Sequence, residues 1–303
     1  MNPAVRNAWR GFFYCTVITL KCFNFIDSKT MQDTILRPDE VAHYHRNGYV
    51  IPSFRLPAAM VEKLQSTLQE LIDANPGVRP EKLVSAHIAG KNDDGVVGKR
   101  DFLELAMYPP LVDMVSQVIG NDVALWGCQV FCKPPEEGYE TPWHQDGQYW
   151  PIRPLATCTV WVALEPSLVS NGCLRVIPGS HTNKILYPHL HEDRAELVLN
   201  QAVDTDCFDP NDSVDLELQP GQMSMHDVFM IHGAKANTST IRRTGVAIRY
   251  MPTKSHFDRE LHPAKGTSGL NLNFATRPLW LLKGRDVCGL NDFQIGHRTD
   301  SRS

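Results

Sequence analysis

Three features of the sequence predict an α+β, mainly β chain, a jelly roll with helices flanking its N-terminal side. Helix-spaced apolar residues are confined to the first 120 positions, and short apolar runs punctuated by proline and glycine follow. The 21 prolines and 20 glycines suit many short strands better than a helical bundle. The 303 residues are enough for one large domain with appendages, and 42% hydrophobic against 21% charged residues is ordinary for a packed chain. With 30 Lys+Arg against 34 Asp+Glu, a formal charge of -4, no global positive field exists to hold a polyanion, and nucleic-acid binding is excluded as a leading class.

From the N-terminus, the apolar run 12–26 is interrupted by Lys21 and is shorter than the ~20 residues a membrane span needs, so no transmembrane span is expected. With Arg6 and Arg10 ahead of it, segment 1–30 reads either as a targeting segment or as an extension before a second start at Met31. The domain itself is expected over 31–262, with 263–303 a C-terminal tail. Arg37-Pro38-Asp39-Glu40 places proline and acids at a helix start, and Gly48 ends that helix. Tyr49 to Pro52 reads as a strand. Met60, Val61, Leu64, Leu68, Leu71 and Ile72 mark an amphipathic packing helix, and 101–119 reads as a helix broken at Pro109-Pro110. Strands are expected over 122–133, 155–165, 172–177, 214–218, 223–230 and 244–251. Between them, 182–213 reads as a long insertion without regular structure, placed to act as a lid.

The eight cysteines contain no C-x-x-C pair, which favours a reducing, intracellular and cytoplasmic setting unless residues 1–30 direct the chain to an organelle. Cys128 and Cys132 lie on an expected strand and read as buried apolar side chains.

His144-Gln145-Asp146 carries the first chemical signal. In an extended strand alternate residues share a face, so His144 and Asp146 present an imidazole and a carboxylate to one point. Far downstream, His232-Gly233 follows an apolar strand and can add a second imidazole. Two histidines and one carboxylate on one face of an ion leave its other positions open, the arrangement of non-haem Fe(II) oxygenases. A histidine of this kind taken singly is more often a core residue, and H-x-D alone is a weak signal. Arg243, in Arg242-Arg243-Thr244-Gly245, adds a guanidinium able to grip a carboxylate bidentately, as a 2-oxo acid co-substrate requires. His181, in the turn Pro178-Gly179-Ser180-His181, reads as structural. His226-Asp227 is rejected as a ligand pair because adjacent strand side chains point apart, and His189 and His191 are assigned to the lid or the surface.

Three blocks together, Trp143 to Pro154, Ser170 to His181, and His232-Gly233 with Asn237 and Arg243, resemble the phytanoyl-CoA dioxygenase family of iron(II)- and 2-oxoglutarate-dependent oxygenases over roughly residues 35–255. The resemblance implies a double-stranded β-helix of cupin-like type, with His144, Asp146 and His232 as iron ligands and Arg243 on the distal carboxylate of 2-oxoglutarate. It further implies that Gln129, Thr159 and Trp161 line the co-substrate pocket. Tyr149 and Trp150 read as core aromatics or as walls of the substrate pocket. The expected cofactors are Fe(II), 2-oxoglutarate as co-substrate and O2, acting on a small-molecule substrate with release of succinate and CO2. Related halogenases lack the carboxylate that Asp146 supplies here, which favours hydroxylation. The alternatives are an acyl-CoA hydroxylase of the same family and a jelly-roll metal-binding protein without turnover; the complete set of His144, Asp146, His232 and Arg243 argues against the last.

Overall fold

Pro38 and Glu40 set the first helix as their residue types require. Pro38 has no N–H to leave unpaired, and the Glu40 carboxylate accepts the backbone N–H of Arg37 (2.8 Å) and of Ser53 (2.7 Å). In the computed structural model, which describes residues 36–261 and 270–297, this is α1 (Pro38–Asn47). The segment 1–30 lies outside the described residues. Gly48 ends α1 at φ +82°, and a side chain there would strike the His181 ring. The amphipathic run forms α2 (Ala58–Asp73), with Val61, Leu64, Leu68 and Leu71 buried. Truncating any of these leucines to alanine would cost about 2–5 kcal/mol. Pro109-Pro110 separates α3 (Arg100–Ala106) from α4 (Pro109–Ile119), as the break in the pattern predicts.

Two antiparallel sheets follow. Their strands are β1 (Tyr49–Val50), β2 (Val123–Lys133), β3 (Thr141–His144), β4 (Cys158–Ala163), β5 (Leu174–Val176), β6 (Val214–Leu216), β7 (Met223–Asp227), β8 (His232–Ala234), β9 (Arg243–Pro252) and β10 (Trp280–Lys283). The larger sheet has the order β1-β7-β4-β9-β2-β10 and the smaller β6-β5-β8-β3, the two halves of a jelly roll. Val130, Cys128, Val160, Val162, Val246, Ile248 and Tyr250 on one face of the larger sheet form a common core with α2, α3 and α4. Cys128 and Cys132 are buried in that core, as expected of apolar side chains. The opposite face turns toward the smaller sheet and bounds a cavity.

Two expectations need correction. Within the expected tail 263–303, the described residues 270–297 belong to the domain: β10 pairs with Val123, Ala124 and Leu125 of β2, and Phe274, Arg277 and Leu279 are buried. The insertion 182–213 is not without structure. It holds a hairpin (His189–His191 with Gln201–Val203), and Leu197, Val198 and Leu199 are buried, because apolar residues spaced along the insertion gave it a core contact of its own. Val203 and Tyr187 pack on Ile177 and Ile231. No helix among the described residues is long and apolar enough to cross a membrane.

Candidate active site

β3 ends on His144, and a 3-10 turn (Asp146–Gln148) takes over at Asp146. The pairing of the two residues therefore comes from a strand end and a tight turn, where the sequence suggested simple alternation. β8 begins on His232, the antiparallel partner of His144, with ring centroids 4.1 Å apart. One potential ligand atom from each of His144, Asp146 and His232 lies within 4.8 Å of the others, and all three residues are buried. The donor set suits a divalent first-row metal. Nδ1–H of His144 donates to the Pro142 carbonyl (2.8 Å) and Nδ1–H of His232 to the Met230 carbonyl (3.0 Å), since a carbonyl can only accept. Each ring is thereby fixed with its Nε2 lone pair free for a ligand bond.

Burial, reinforced by the neighbouring imidazoles of His144 and His226, pushes His232 well below the usual histidine range, so it stays neutral. Burial alone would raise the Asp146 carboxyl. The imidazoles of His144 and His226 beside it, with His232 and the positive charge of Arg249, outweigh it and hold the group well below the usual carboxylate range. Thr159 Oγ1 donates to Asp146 Oδ2 at 3.4 Å, and His226 Nε2 lies 3.8 Å from the same oxygen. The rejection of His226-Asp227 as a ligand pair stands, because Asp227 turns away to pair with Lys184. His226 itself nevertheless faces the cavity, a position that only the pairing of β7 with β4 reveals.

One cavity brings together the candidate ligands and pocket residues Gln129, His144, Asp146, Tyr149, Trp150, Thr159, Trp161, His232 and Arg243. Arg243 is 3% exposed, and its Nε and Nη2 donate to the Gly172 carbonyl at 3.1 and 2.9 Å, leaving Nη1 unengaged. Burial pushes its guanidinium down to about 10. Trp161 lies beneath it, 5.3 Å from ring centroid to guanidinium carbon, and Gly245 leaves the space that the indole fills, since a Cβ there would lie 1.9 Å from Trp161 Cζ2. Arg242 points outward to Glu165 at 2.6 Å. Gln129 Nε2 is buried without a partner.

His189, expected in the lid or at the surface, lies in the insertion and turns toward the centre. It is half-buried, and its Nε2 accepts the backbone N–H of Gln145 at 3.1 Å while its Nδ1–H donates to the Tyr187 carbonyl. Burial lowers it to about 4, which keeps Nε2 an acceptor. The Gln145 side chain donates to the carbonyls of Ile185 and Phe229 and accepts the Tyr187 N–H. The residue between the two potential ligands thus ties the start of the insertion to the centre. His181 is structural, as expected, with Nε2–H on the His45 carbonyl.

A jelly roll carrying two histidines and a carboxylate beside a buried arginine has the form of a non-haem iron oxygenase. The phytanoyl-CoA dioxygenase family model matches residues 44–245, and the chain belongs to that family of iron(II)- and 2-oxoglutarate-dependent dioxygenases. It is 27% identical over 243 residues, 73% of this chain and 77% of the relative, to a probable phytanoyl-CoA dioxygenase of Caenorhabditis elegans. Among solved structures, the apo form of the non-heme monooxygenase ThoJ superposes with a TM-score of 0.63 at 24% identity, over 83% of this chain and 86% of that one. The epimerase SnoN in complex with Fe3+, alpha ketoglutarate and nogalamycin RO superposes at 0.60 with 22% identity, over 80% and 97%. Both share the fold.

Proposed function

We propose that the chain hydroxylates a small molecule, coupling that step to conversion of 2-oxoglutarate and O2 into succinate and CO2. The observation that carries the reading is the convergence of His144, Asp146 and His232 within 4.8 Å, in the same cavity as Arg243. His144, Asp146 and His232 are assigned to Fe(II), whose open positions supply redox chemistry on oxygen and the 2-oxo acid when it is bound. Arg243 receives the distal carboxylate of 2-oxoglutarate through its unengaged donors, with Trp161 as the wall below and Gln129 and Thr159 beside it. The carbonyls of Pro142 and Met230 fix the tautomer and the orientation of the two imidazoles. Tyr149 and Trp150, each 5% exposed, exclude water on the substrate side. Retention of Asp146 supports oxygen rather than halide transfer.

Anaerobic addition of Fe(II) and then 2-oxoglutarate should give a weak visible charge-transfer band. Absence of the band in the wild type at saturating metal, or its survival in His144→Ala, would refute the assignment.

A further inference from the structure

Alternate residues of β9 on its cavity face are Arg243, Gly245, Ala247 and Arg249, and all but the glycine line the cavity. At ~3.3 Å per residue, the two arginines sit at opposite ends of a span of roughly 20 Å. Arg243 is accounted for by the co-substrate. Arg249 is not.

Its place is prepared by a β-bulge. Register between β9 and β2 shifts at Arg249/Tyr250, so that Gly127 lies opposite Arg249 and Trp126 is turned to the same side. Gly127 packs beside the Arg249 stem, where a Cβ would lie in ordinary contact, 3.7 Å from Arg249 Cδ. Trp126 and Trp150 then flank the guanidinium, with ring centroids 5.9 and 5.2 Å from its carbon. Among the described residues the guanidinium makes no hydrogen bond or ion pair, and its Nε is buried without a partner. The neighbouring Arg277 differs: it is paired with Asp94 at 2.8 Å. Asp146 is the carboxylate whose charge reaches Arg249, and a metal would claim it. Ferrous iron, Asp146, doubly charged 2-oxoglutarate and Arg243 together sum to zero charge, so the loaded centre leaves Arg249 as one uncompensated cation. Around it stand Leu199, Leu270, Leu272 and Phe274.

We propose that Arg249 anchors the substrate, and that the substrate is an organic monocarboxylate with an apolar body. The headgroup lies on the Arg249 fork and the body against Leu199, Leu270, Leu272 and Phe274. A single unpaired guanidinium matches one negative charge, which favours a carboxylate over a dianionic phosphate. This rests on the oxygenase reading above and specifies its substrate class.

Protein loaded with redox-inactive Zn(II) and 2-oxoglutarate is titrated by calorimetry with phenylacetate, 4-phenylbutyrate and decanoate, each against its own primary amide. At least one acid should bind at least ~10-fold tighter than its amide, the contribution of one charge-assisted contact. Arg249→Gln should abolish that preference, Arg249→Lys should keep part of it, and both should bind 2-oxoglutarate within about threefold of wild type. Should the glutamine variant fail to fold, as judged by its melting transition, the lysine variant decides: an undiminished preference refutes the fork. Equal binding of acid and amide in the wild type for all three pairs overturns the proposal, as does loss of 2-oxoglutarate binding in Arg249→Gln with Arg243 intact. If the wild type binds no 2-oxoglutarate, it is the oxygenase reading that fails.

Discussion

Replacing Arg243 by methionine separates function from stability in a way few substitutions do. The guanidinium is 3% exposed, and the fall from 12.5 to about 10 that burial imposes corresponds to ~3 kcal/mol of penalty in the ligand-free protein. Methionine removes that penalty. It also strips both donors from the Gly172 carbonyl, which costs about 1–3 kcal/mol. The two terms nearly cancel, so the ligand-free melting temperature should stay level or rise. Binding of 2-oxoglutarate should weaken sharply, because truncating one side of a buried charged contact costs about 2–5 kcal/mol; ~3 kcal/mol is a loss of roughly 150-fold. Anaerobic titration of the Fe(II) protein, following the charge-transfer band, measures the affinity, and a thermal melt measures the stability. Arg242→Gln is the control, since that side chain is held by Glu165 on the outer side of the sheet and should leave the titration unchanged within about threefold. A methionine variant that melts much lower yet binds 2-oxoglutarate normally would show Arg243 to be a structural cation, and the assignment of the co-substrate pocket would fall with it.

Three further outcomes are expected. Gly245→Ala places a methyl where Trp161 now sits, so it should displace the indole and weaken 2-oxoglutarate binding in the same titration; unchanged affinity would mean that Trp161 is no wall of that pocket. His87 is fully buried, and burial lowers it to about 3. The unfolded chain, at ~6.5, therefore binds a proton that the folded one refuses, and stability falls as pH drops from about 6.5 to about 3, by the order of 5 kcal/mol in all. His87→Phe should flatten that limb in urea unfolding at a series of pH values, and an unaltered slope would count against it. Gln145→Leu removes three buried side-chain bonds and should speed proteolysis between residues 182 and 190; equal cleavage would show that Gln145 does not restrain the insertion.

Much of this architecture is legible from residue pattern. The spacing of Val61, Leu64, Leu68 and Leu71 and the Pro109-Pro110 break define helices through local geometry, and the long apolar strands β2 and β9 are visible because both of their faces are covered. What escapes is set by pairing at a distance. β10 has four residues, too few for alternation to declare itself, and its partner lies more than 150 positions upstream. His226 and His189 reach the centre only through register and through Gln145. Arg249 is legible by the same alternation that suggests pairing His144 with Asp146, since it stands six positions after Arg243 on one strand. The turn at Asp146 shows the converse: the expected convergence holds although the backbone that produces it is different.

The outer margin of β2 is covered piece by piece. Leu83 bridges to Val130, the N–H of Ala86 donates to the Cys128 carbonyl, and β10 takes Val123 to Leu125. The family match ends at residue 245, inside β9, and a protein trimmed near residue 262 would keep all four of His144, Asp146, His232 and Arg243. It would also leave the Val123–Leu125 backbone groups and the side chains beneath β10 open to any extended chain that meets them. Such an edge recruits other molecules. Shortened forms of this enzyme should therefore be lost to aggregation before their chemistry is compromised.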